Sequence, residues 1–455
     1  MISKNDLIEL TVSSISSDGN GIGRAADGMA VFVPFSATGD RLRIRIVKVQ
    51  KSYAFGIVDS VLEPSIDRRE PDCEAFGRCG GCALRHISYE AELAAKTEFV
   101  RSALKRLGGI SVRVNETIPS PLTERYRNKA QYPICERDGK LFAGFYAARS
   151  HRSVELADCA LVPKVMNEVA RAACELMSDA GVTAYDEQTR KGLARHMLVR
   201  RSTKDGALLL CAVLCRAAFK GEDEFVRSLL ARFPDIRTVV LNENSANTNV
   251  ILGERFRTIY GNGFIGDELC GVPVNLAAPS FFQINKLSAE LLYGEIARLA
   301  QLEGTERVLD LFCGAGTIGL SLARKHKLHS LIGVETVESA VAAARDAAQK
   351  LGLDNCEFLL GDAEAVAEKL ARDGAALDVA ITDPPRKGCT ERTLASLVSL
   401  APRRIVMVSC NAATLARDLK FLESNGYITK EAVPIDMFPR TPHVECVCLM
   451  ARTGK

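Results

Sequence analysis

The sequence predicts an α/β protein with a doubly wound, mainly parallel sheet near its carboxyl terminus, a mixed α+β segment before it, and a small OB-like β-barrel first. From Ser280 onward, apolar runs alternate with helical stretches in the order VLDLF, LIGVE, EFLLGD, LDVAITD and RIVMVSC. Strands and helices that alternate in this way build parallel sheets. Residues 1–62 instead show short strand-like runs between Gly-rich turns, which are typical of small barrels that bind oligonucleotides.

Shifts in composition divide the chain into three predicted domains. The barrel covers residues 1–62, a mixed α+β domain covers residues 63–279, and the domain of alternating strands and helices covers residues 280–455. The polar stretch EPSIDRREPD, which contains two prolines, separates the first two. Within the middle domain, the pattern predicts helices over 89–107 and 164–179, and strands over 140–146, 207–215 and 238–242.

The composition is that of a globular protein rather than a membrane or exported protein. Of the 455 residues, 47% are hydrophobic and 25% are charged. No apolar run reaches the length of a membrane span or a signal sequence, so we expect a cytoplasmic protein, a monomer, without a membrane partner. In a reducing compartment the 15 cysteines favour metal ligands, a catalytic thiol and core positions over disulfide bonds.

A net charge of +3 does not by itself identify a nucleic-acid partner, but two local stretches are basic. RLRIRIVKVQK (41–51) alternates basic and apolar residues, which predicts a strand with one row of positive charge on its outer face. TERYRNKAQYP (123–133) places cations beside tyrosines, a combination that suits single-stranded nucleic acid. The alternative for each stretch is a solvated charged face.

A glycine loop and several strand-end carboxylates predict a cofactor pocket. DLFCGAGTIGL (310–320) follows the first strand of the parallel sheet with its glycines in G-x-G-x-x-G spacing, and Glu335 ends the next strand, where an acid can bind a ribose diol. Asp310 and Asp362 add two further carboxylates. A dinucleotide would bring phosphates to this crowded anionic edge, so the pattern favours S-adenosylmethionine (SAM) over a dinucleotide.

The stretch RIVMVSCNAATLARD predicts a reactive thiol. An apolar strand ends at Cys410, and Asn411 is a good amino-terminal cap for the helix that follows. Ligands of open α/β sheets bind at such strand ends, and a helix amino terminus is expected to lower the pKa of a thiol. The alternative is a small apolar residue that fills the core.

Two further acidic residues, Asp383 and Glu445, are candidates for catalytic roles at the same edge of the sheet. Asp383 follows the fourth strand in ITDPPRKG, where two prolines make a stiff rim. An amino-group methyltransferase would carry an aromatic residue at the position of Arg386, which weakens that assignment. Glu445 lies between apolar residues of a closing strand, and partial burial there would tune it as a base.

Four segments occur in order and together resemble the RNA (uracil-5-)-methyltransferase family over nearly the whole chain: DLFCGAGTIGL, DPPRKG, SCNAATLARD and MFPRTPHVE. The amino-terminal barrel resembles the TRAM domain of the 23S ribosomal RNA branch of that family. The resemblance implies a class I, Rossmann-like, SAM-dependent methyltransferase that acts on uridine C5 in RNA, with 23S ribosomal RNA as the expected partner.

The resemblance also implies roles for individual residues. Cys410 would add to C6 of uracil, because C5 is too weakly nucleophilic to accept a methyl group until a thiolate turns the ring into an enolate. Glu445 would then remove the C5 proton, with Asp383 in the same pocket, and His443 is expected to be structural. The implied cofactor contacts are Gln283, Phe312, Thr317, Glu335, Asp362 and Asp383.

CEAFGRCGGC supplies Cys73, Cys79 and Cys82, and Cys159 in ELADCALVP is the candidate fourth ligand. Four thiolates suit zinc or an iron–sulfur cluster in principle. Zinc sites usually carry paired C-x2-C knuckles and only one is present, which favours the cluster. In the family that the chain resembles, this pattern carries a [4Fe-4S] cluster.

Two other function classes stay open from the sequence. A cytosine-5 RNA methyltransferase also uses a thiolate, and the sequence does not show which groups read the pyrimidine ring. A non-catalytic iron–sulfur protein that binds RNA or senses redox state would use the barrel and the cluster, but has no need for both Cys410 and Glu445. A transfer RNA target is expected less, because the related tRNA enzymes typically lack the barrel and the four cysteines.

Overall fold

The structure, a computed structural model, describes residues 2–454. The first strands form a closed barrel in the order β1-β2-β3-β5-β4. Residues that point inward, such as Val31, Leu42 and Ile44, are fully buried. The predicted barrel is therefore confirmed; its strands are β1 (Leu7–Ile15), β2 (Asn20–Arg24), β3 (Ala30–Pro34), β4 (Arg41–Val49) and β5 (Tyr53–Glu63).

The outer face of β4 carries the predicted row of arginines, but carboxylates of other strands offset their charge. Arg41, Arg43 and Arg45 are exposed, as the alternation predicts. However, Arg41 forms ion pairs with Glu9 at 3.0 Å and Glu63 at 2.5 Å. Arg45 lies 3.4 Å from a carboxylate oxygen of Asp59. Neighbouring strands thus supply carboxylates that offset this positive row, which a pattern within one strand cannot show.

The middle of the chain forms a mixed sheet in the order β12-β11-β10-β9-β6-β7-β8. Helices α2 and α3 pack on one face, where Met166, Met177 and Phe225 are buried. Helix α2 has the predicted bounds. The elements are β6 (Lys129–Arg137), β7 (Lys140–Tyr146), β8 (Ser153–Glu155), α2 (Lys164–Asp179), β9 (Ala194–Arg201), β10 (Leu208–Leu214), α3 (Glu222–Arg232), β11 (Ile236–Glu243) and β12 (Arg255–Tyr260).

Strand β10 lies at the junction between this sheet and the carboxyl-terminal part of the protein. All of its residues are buried, because its two faces belong to two hydrophobic cores. Leu208 and Leu210 pack with α2 and α3. Leu209 and Cys211 pack into the core of the carboxyl-terminal sheet, together with the hairpin of β13 (Phe264–Leu269) and β14 (Val272–Ala277).

The carboxyl-terminal sheet has the order β17-β16-β15-β18-β19-β21-β20. Strand β21 runs antiparallel to both neighbours and the other pairs that involve β15 to β19 are parallel, which confirms the predicted fold class. The strands are β15 (Arg307–Leu311), β16 (Ser330–Glu335), β17 (Cys356–Leu360), β18 (Val379–Thr382), β19 (Arg404–Ser409), β20 (Tyr427–Ile435) and β21 (Glu445–Arg452).

Helices cover both faces of this sheet, as doubly wound folds require. One face packs against α4 (Lys286–Ala300), α5 (Thr317–Lys325) and α6 (Glu338–Lys350). The other packs against α7 (Ala363–Arg372), α8 (Glu391–Leu400) and α9 (Ala412–Glu423). Among residues 2–454, no helix has both the length and the apolar character that a membrane crossing demands.

The segment after the barrel also packs on the carboxyl-terminal sheet. Helix α1 (Tyr89–Ala103) continues into a π-helical turn at Leu104–Gly108, whereas the sequence predicts one helix over 89–107. Val100 and Leu104 join the core beneath α9, and Ile118 forms a parallel bridge with Ile435. The division of the chain at residues 62 and 279 stays a prediction from composition.

Candidate active site

Cys410 lies where a buried strand meets the start of a helix. Strand β19 ends at Ser409, and Asn411 caps α9 by accepting a hydrogen bond from the Ala413 amide at 3.0 Å. This is the local structure that the sequence predicts. The side chain of Cys410 is half-buried, so it is neither a core residue nor a fully exposed thiol.

The pairing of neighbouring strands brings two carboxyl groups to this thiol. Ser409 on β19 lies opposite Cys446 on β21, so Cys410 and Glu445 flank that pair at the same edge of the sheet. Strand β18 lies on the other side of β19 and leads directly into Asp383. Cys410, Glu445 and Asp383 therefore come together from three adjacent strands, which only the sheet order decides.

Arg386 completes the group, and sequence reasoning did not select it as a site residue. Its guanidinium lies close enough to the Cys410 thiol to oppose the rise in the thiol's pKa. Its backbone carbonyl accepts hydrogen bonds from the Asn411 side chain at 3.3 Å and the Thr414 hydroxyl at 3.4 Å. The DPPRKG loop is thus tied to the start of α9. The feature of the sequence that could have identified Arg386 is a cationic residue directly after the rigid Asp-Pro-Pro segment.

The electrostatics of the pocket favour protonated groups in the free protein. Burial raises the pKa of the Cys410 thiol, and the Glu445 charge adds to this, while Arg386 opposes it. Burial and the nearby Asp383 charge raise the pKa of Glu445 to about 8, and burial raises the pKa of Asp383 to about 6. The expectation that the helix amino terminus would lower the thiol's pKa is wrong for the free protein, because desolvation and carboxylates outweigh it.

These shifts predict how the reaction depends on pH. Only the thiolate is nucleophilic, and the raised pKa of Cys410 leaves a small thiolate fraction at neutral pH. We expect kcat/KM for RNA to rise by about tenfold per unit between roughly pH 6 and pH 8. Initial rates of methyl incorporation over this range test the prediction. A flat profile would contradict the raised thiol pKa, because kcat/KM reports the ionisation of the free enzyme.

The glycine loop after β15 permits close packing at the predicted cofactor edge. Gly316 has a left-handed φ of 73°, and a Cβ atom there would lie 2.8 Å from the Phe358 ring. A Cβ atom on Gly319 would lie 2.9 Å from a carboxylate oxygen of Asp310. Any larger residue at either position would collide with neighbouring side chains, so the glycines permit the close packing of the loop and of α5 on the sheet.

The acids of this edge have different environments. Asp310 is fully buried; one carboxylate oxygen accepts the Gly319 amide at 2.9 Å and the other has no partner. Burial raises its pKa to about 7. Glu335 accepts the Gly314 amide at 3.0 Å, which ties β16 to the glycine loop. Asp362 is exposed and caps α7 by accepting the Glu364 amide at 3.0 Å, which is a structural role independent of any ligand.

The other predicted contacts lie around the same edge. Phe312 follows β15 with a left-handed φ of 64° and is partly buried. The Thr317 hydroxyl hydrogen-bonds the buried Tyr293 hydroxyl at 2.7 Å. Gln283 precedes α4, and its backbone carbonyl accepts the side-chain amide of Asn128 at 2.8 Å. His443 is exposed and its ring contacts Phe438 edge-on at 6.0 Å.

The four predicted metal-ligating cysteines share one cavity. Cys73, Cys79, Cys82 and Cys159 line a space of about 250 Å³ beside Arg127. Burial raises the pKa of Cys79, Cys82 and Cys159, and charges on the neighbouring thiols add to the shift. Within residues 2–454, His, Cys, Asp and Glu side chains form no group of three arranged to hold a metal ion. The thiols surround the cavity rather than converge on one point.

Comparison with known proteins shows which proteins share this architecture. Sequence profiles match the TRAM domain over residues 4–58 and a methyltransferase domain over residues 302–433. An uncharacterized RNA methyltransferase of Halalkalibacterium halodurans is 39% identical over 450 residues, covering 99% of this chain and 98% of the relative. One from Listeria monocytogenes is 38% identical with the same coverage. The solved tRNA (uracil-54, C5)-methyltransferase of Pyrococcus abyssi, in complex with S-adenosyl-L-homocysteine, has a TM-score of 0.77 at 28% identity, covering 97% of this chain and 99% of that chain.

The chain belongs to the RNA (uracil-5-)-methyltransferase family. It is an RNA methyltransferase with a SAM-dependent fold and an amino-terminal TRAM barrel, which confirms the resemblance seen in the sequence. The relatives span the chain from end to end, so the barrel, the middle sheet and the carboxyl-terminal sheet are one shared architecture.

In this family member, the basic stretch at 123–133 does not offer the predicted stacking rings. Tyr126 and Tyr132 are buried, and their hydroxyls donate to the Pro439 carbonyl at 3.1 Å and to Asn167 at 2.9 Å. The prediction that these tyrosines stack on single-stranded RNA is therefore wrong. Tyr132 packs in the core beneath α2, and Tyr126 packs against the loop that contains Pro439.

A buried charge network, which sequence reasoning missed, holds the loop before Glu445. Lys96 is fully buried and its ammonium lies 2.7 Å from both Glu92 and Asp436. The Tyr89 hydroxyl donates to Asp436 at 2.8 Å, and Lys96 also donates to the Phe438 carbonyl at 3.2 Å. Helix α1 thereby fixes residues 436–438 of this family member, a few residues before the predicted base.

Replacing Lys96 with methionine should destabilise the protein strongly. The variant leaves Glu92 and Asp436 buried without their cation, a change that costs about 3–5 kcal/mol in comparable networks. Denaturant unfolding measures the loss. Lys105→Met, on the exposed side of the π-helical turn, is the matched control and should change stability by less than about 0.5 kcal/mol. Equal effects of the two variants would contradict the prediction.

Proposed function

We propose that the protein methylates C5 of uridine in RNA, with 23S ribosomal RNA as its substrate, through a covalent bond between the Cys410 sulfur and C6 of the ring. The observation that carries the proposal is the convergence of Cys410, Glu445 and Asp383 from three neighbouring strands, with the Arg386 charge beside the thiol. A thiol beside a buried carboxyl group supplies both the nucleophile and the base that this reaction needs.

Cys410 acts first. Its thiolate adds to C6, and the electrons of the C5–C6 double bond move toward O4, giving an enolate that is nucleophilic at C5. Arg386, whose charge lies beside the thiol, stabilises the negative charge on sulfur before the addition. Bound SAM supplies the methyl group that C5 accepts. Asp383 lies on the same side of the sheet and is in place to hydrogen-bond the ring.

Glu445 acts second. Its carboxylate removes the proton from C5, the double bond reforms between C5 and C6, and the Cys410 sulfur leaves as a thiolate. A carboxyl group with a pKa of about 8 is a strong base once ionised, and burial is the cause of that basicity. The proton that Glu445 accepts is later lost to solvent, which returns the site to its starting state.

We assign cofactor binding to the edge that carries the glycine loop. Glu335 and Asp362 follow adjacent strands, which suits the ribose and the adenine amine of SAM. The buried Asp310 oxygen without a partner is a spare acceptor, and a cationic amino group would satisfy it. Phe312, Thr317, Gln283 and Asp383 are the remaining proposed contacts.

We also propose that Cys73, Cys79, Cys82 and Cys159 hold a [4Fe-4S] cluster with a structural role. The donor set fits: four thiols surround one cavity. The Arg85 charge lies close enough to Cys82 to oppose the rise in the pKa of that thiol. Anaerobic purification with iron and sulfide analysis tests this assignment. Cys82→Ser should lose iron while Cys215→Ser, in the middle sheet, should retain it; zinc without sulfide in the unaltered protein would reject it.

The function is tested by incubating the protein with SAM and either undermethylated 23S ribosomal RNA or transfer RNA, followed by mass spectrometry of the nucleosides. We expect 5-methyluridine in the ribosomal RNA. Transfer RNA is the second candidate substrate, because the solved relative from Pyrococcus abyssi is a tRNA (uracil-54, C5)-methyltransferase. 5-Methylcytidine would reject uridine as the target, and modification of transfer RNA alone would reject the ribosomal substrate.

A further inference from the structure

We propose that a basic cleft between the middle sheet and α4 binds one RNA nucleotide next to the target uridine, through its phosphate and its 2′-hydroxyl. This inference rests on the proposed function, because it assumes that the target uridine enters the pocket at Cys410. The cleft is separate from the predicted catalytic and cofactor residues. Its volume is about 290 Å³, and its cationic lining residues are Arg125, Arg127, Arg201 and Lys286.

The four cations differ in how free they are to bind a phosphate. Arg125 is held by the Asp158 carboxylate, with contacts of 2.6 and 2.7 Å. Lys286 is only loosely paired, 3.9 Å from Asp267 and 4.0 Å from Glu290. Arg201 forms no ion pair with any carboxylate of residues 2–454, and the same holds for Arg127. Arg127, Arg201 and Lys286 are thus the available charges.

The backbone adds to this positive potential. Asn285 caps α4 by accepting the Ser288 amide at 3.3 Å, and the first helical residues, Lys286 and Leu287, line the cleft. The amino end of a helix presents amide protons and a partial positive charge, which suits a phosphate. A helix amino terminus beside three available cations is a favourable site for a phosphate of a nucleic-acid backbone.

A buried polar atom on the wall points to a ligand that also donates a hydrogen bond. Asn128 lines the cleft and is only 3% exposed. Its side-chain amide donates to the Gln283 carbonyl at 2.8 Å, but its side-chain oxygen has no partner. An unsatisfied buried acceptor costs about 1–3 kcal/mol. The RNA 2′-hydroxyl is a donor on the same nucleotide as the phosphate, and it would satisfy this oxygen.

The walls of the cleft are bonded directly to the proposed active site. Asn128 holds Gln283, and the Tyr126 hydroxyl holds the Pro439 carbonyl in the loop that leads to Glu445. A nucleotide in the cleft would therefore flank the extruded uridine rather than replace it.

RNA binding by the full-length protein tests the inference. We expect Arg201→Gln and Lys286→Gln each to weaken RNA binding about 5- to 30-fold and to reduce the slope of log K against log salt by about 0.7 to 1. Arg372→Gln, at an exposed arginine on α7, is the matched control and should bind as the unaltered protein does. SAM affinity and the unfolding midpoint should be unchanged in all three.

A second measurement tests the 2′-hydroxyl. Single 2′-deoxy substitutions scanned along the RNA beside the target should weaken binding at one position, and that effect should vanish in Asn128→Ala. Unchanged affinities and salt slopes in the cleft variants, while uridine methylation proceeds, would overturn the cleft assignment alone. If the unaltered protein binds RNA through the cleft but forms no 5-methyluridine, the proposed function fails and the cleft assignment stands.

Discussion

Cys410→Ala should abolish methylation, lowering kcat by about 10⁴-fold or more, because no other group in the pocket can add to C6 and activate C5. The measurement is incorporation of labelled methyl groups from SAM into RNA. RNA that contains 5-fluorouridine gives a second readout. Fluorine cannot leave as a proton does, so the unaltered protein should form a stable covalent adduct, and Cys410→Ala should form none.

Cys215→Ala is the control for this variant. Cys215 is also a partly exposed thiol, but it lies in the middle sheet, far along the chain from the proposed pocket. It should retain both methylation and adduct formation. Normal activity of Cys410→Ala, or an adduct that maps to another cysteine, would contradict the covalent mechanism.

Glu445→Gln should separate the two halves of the reaction. The amide has nearly the shape of the carboxyl group but cannot accept the C5 proton, so methyl transfer proceeds and release of the ring from Cys410 does not. We expect turnover to fall by about 10²- to 10⁴-fold while a covalent protein–RNA adduct accumulates on natural RNA. Denaturing gel electrophoresis detects the adduct, and mass spectrometry should show a methylated ring bound to Cys410.

Asp383→Asn is the comparison that decides which carboxyl group is the base. Asp383 lies in the same pocket, with a pKa raised to about 6, so it is the alternative acceptor. Adduct accumulation in Asp383→Asn, with none in Glu445→Gln, would transfer the role to Asp383. The double variant Cys410→Ala/Glu445→Gln should show no adduct, because the covalent bond needs the thiol.

Local features of the active site could be predicted from the sequence because they depend on neighbouring residues. An apolar run followed by Cys410 and a capping asparagine is a strand, a turn and a helix start, and the structure has all three. The glycine loop and the carboxylates that follow strands are equally local. Since parallel strands end at one edge of a sheet, the sequence also predicts that these residues share an edge.

Features that depend on distant residues could not be predicted in this way. The arginines of β4 face solvent as their alternation requires, but Glu9, Glu63 and Asp59 come from other strands and pair with them. Tyr126 is close to two cations in the sequence, yet its ring is buried against the loop that contains Pro439. Charge pairing with distant residues decided the first outcome, and burial by a distant segment decided the second.

Local sequence is enough to establish the order of the elements, the strand-end position of Cys410 and the family whose motifs the chain matches. Only the folded chain brings Glu445 and Arg386 near that thiol, and only the fold places Lys96 between Glu92 and Asp436, across more than three hundred residues. Burial in the folded pocket also raises the pKa of the thiol. The physical reason is that hydrogen bonding within an element follows the local sequence. Desolvation and charge pairing depend instead on which surfaces the folded chain brings together.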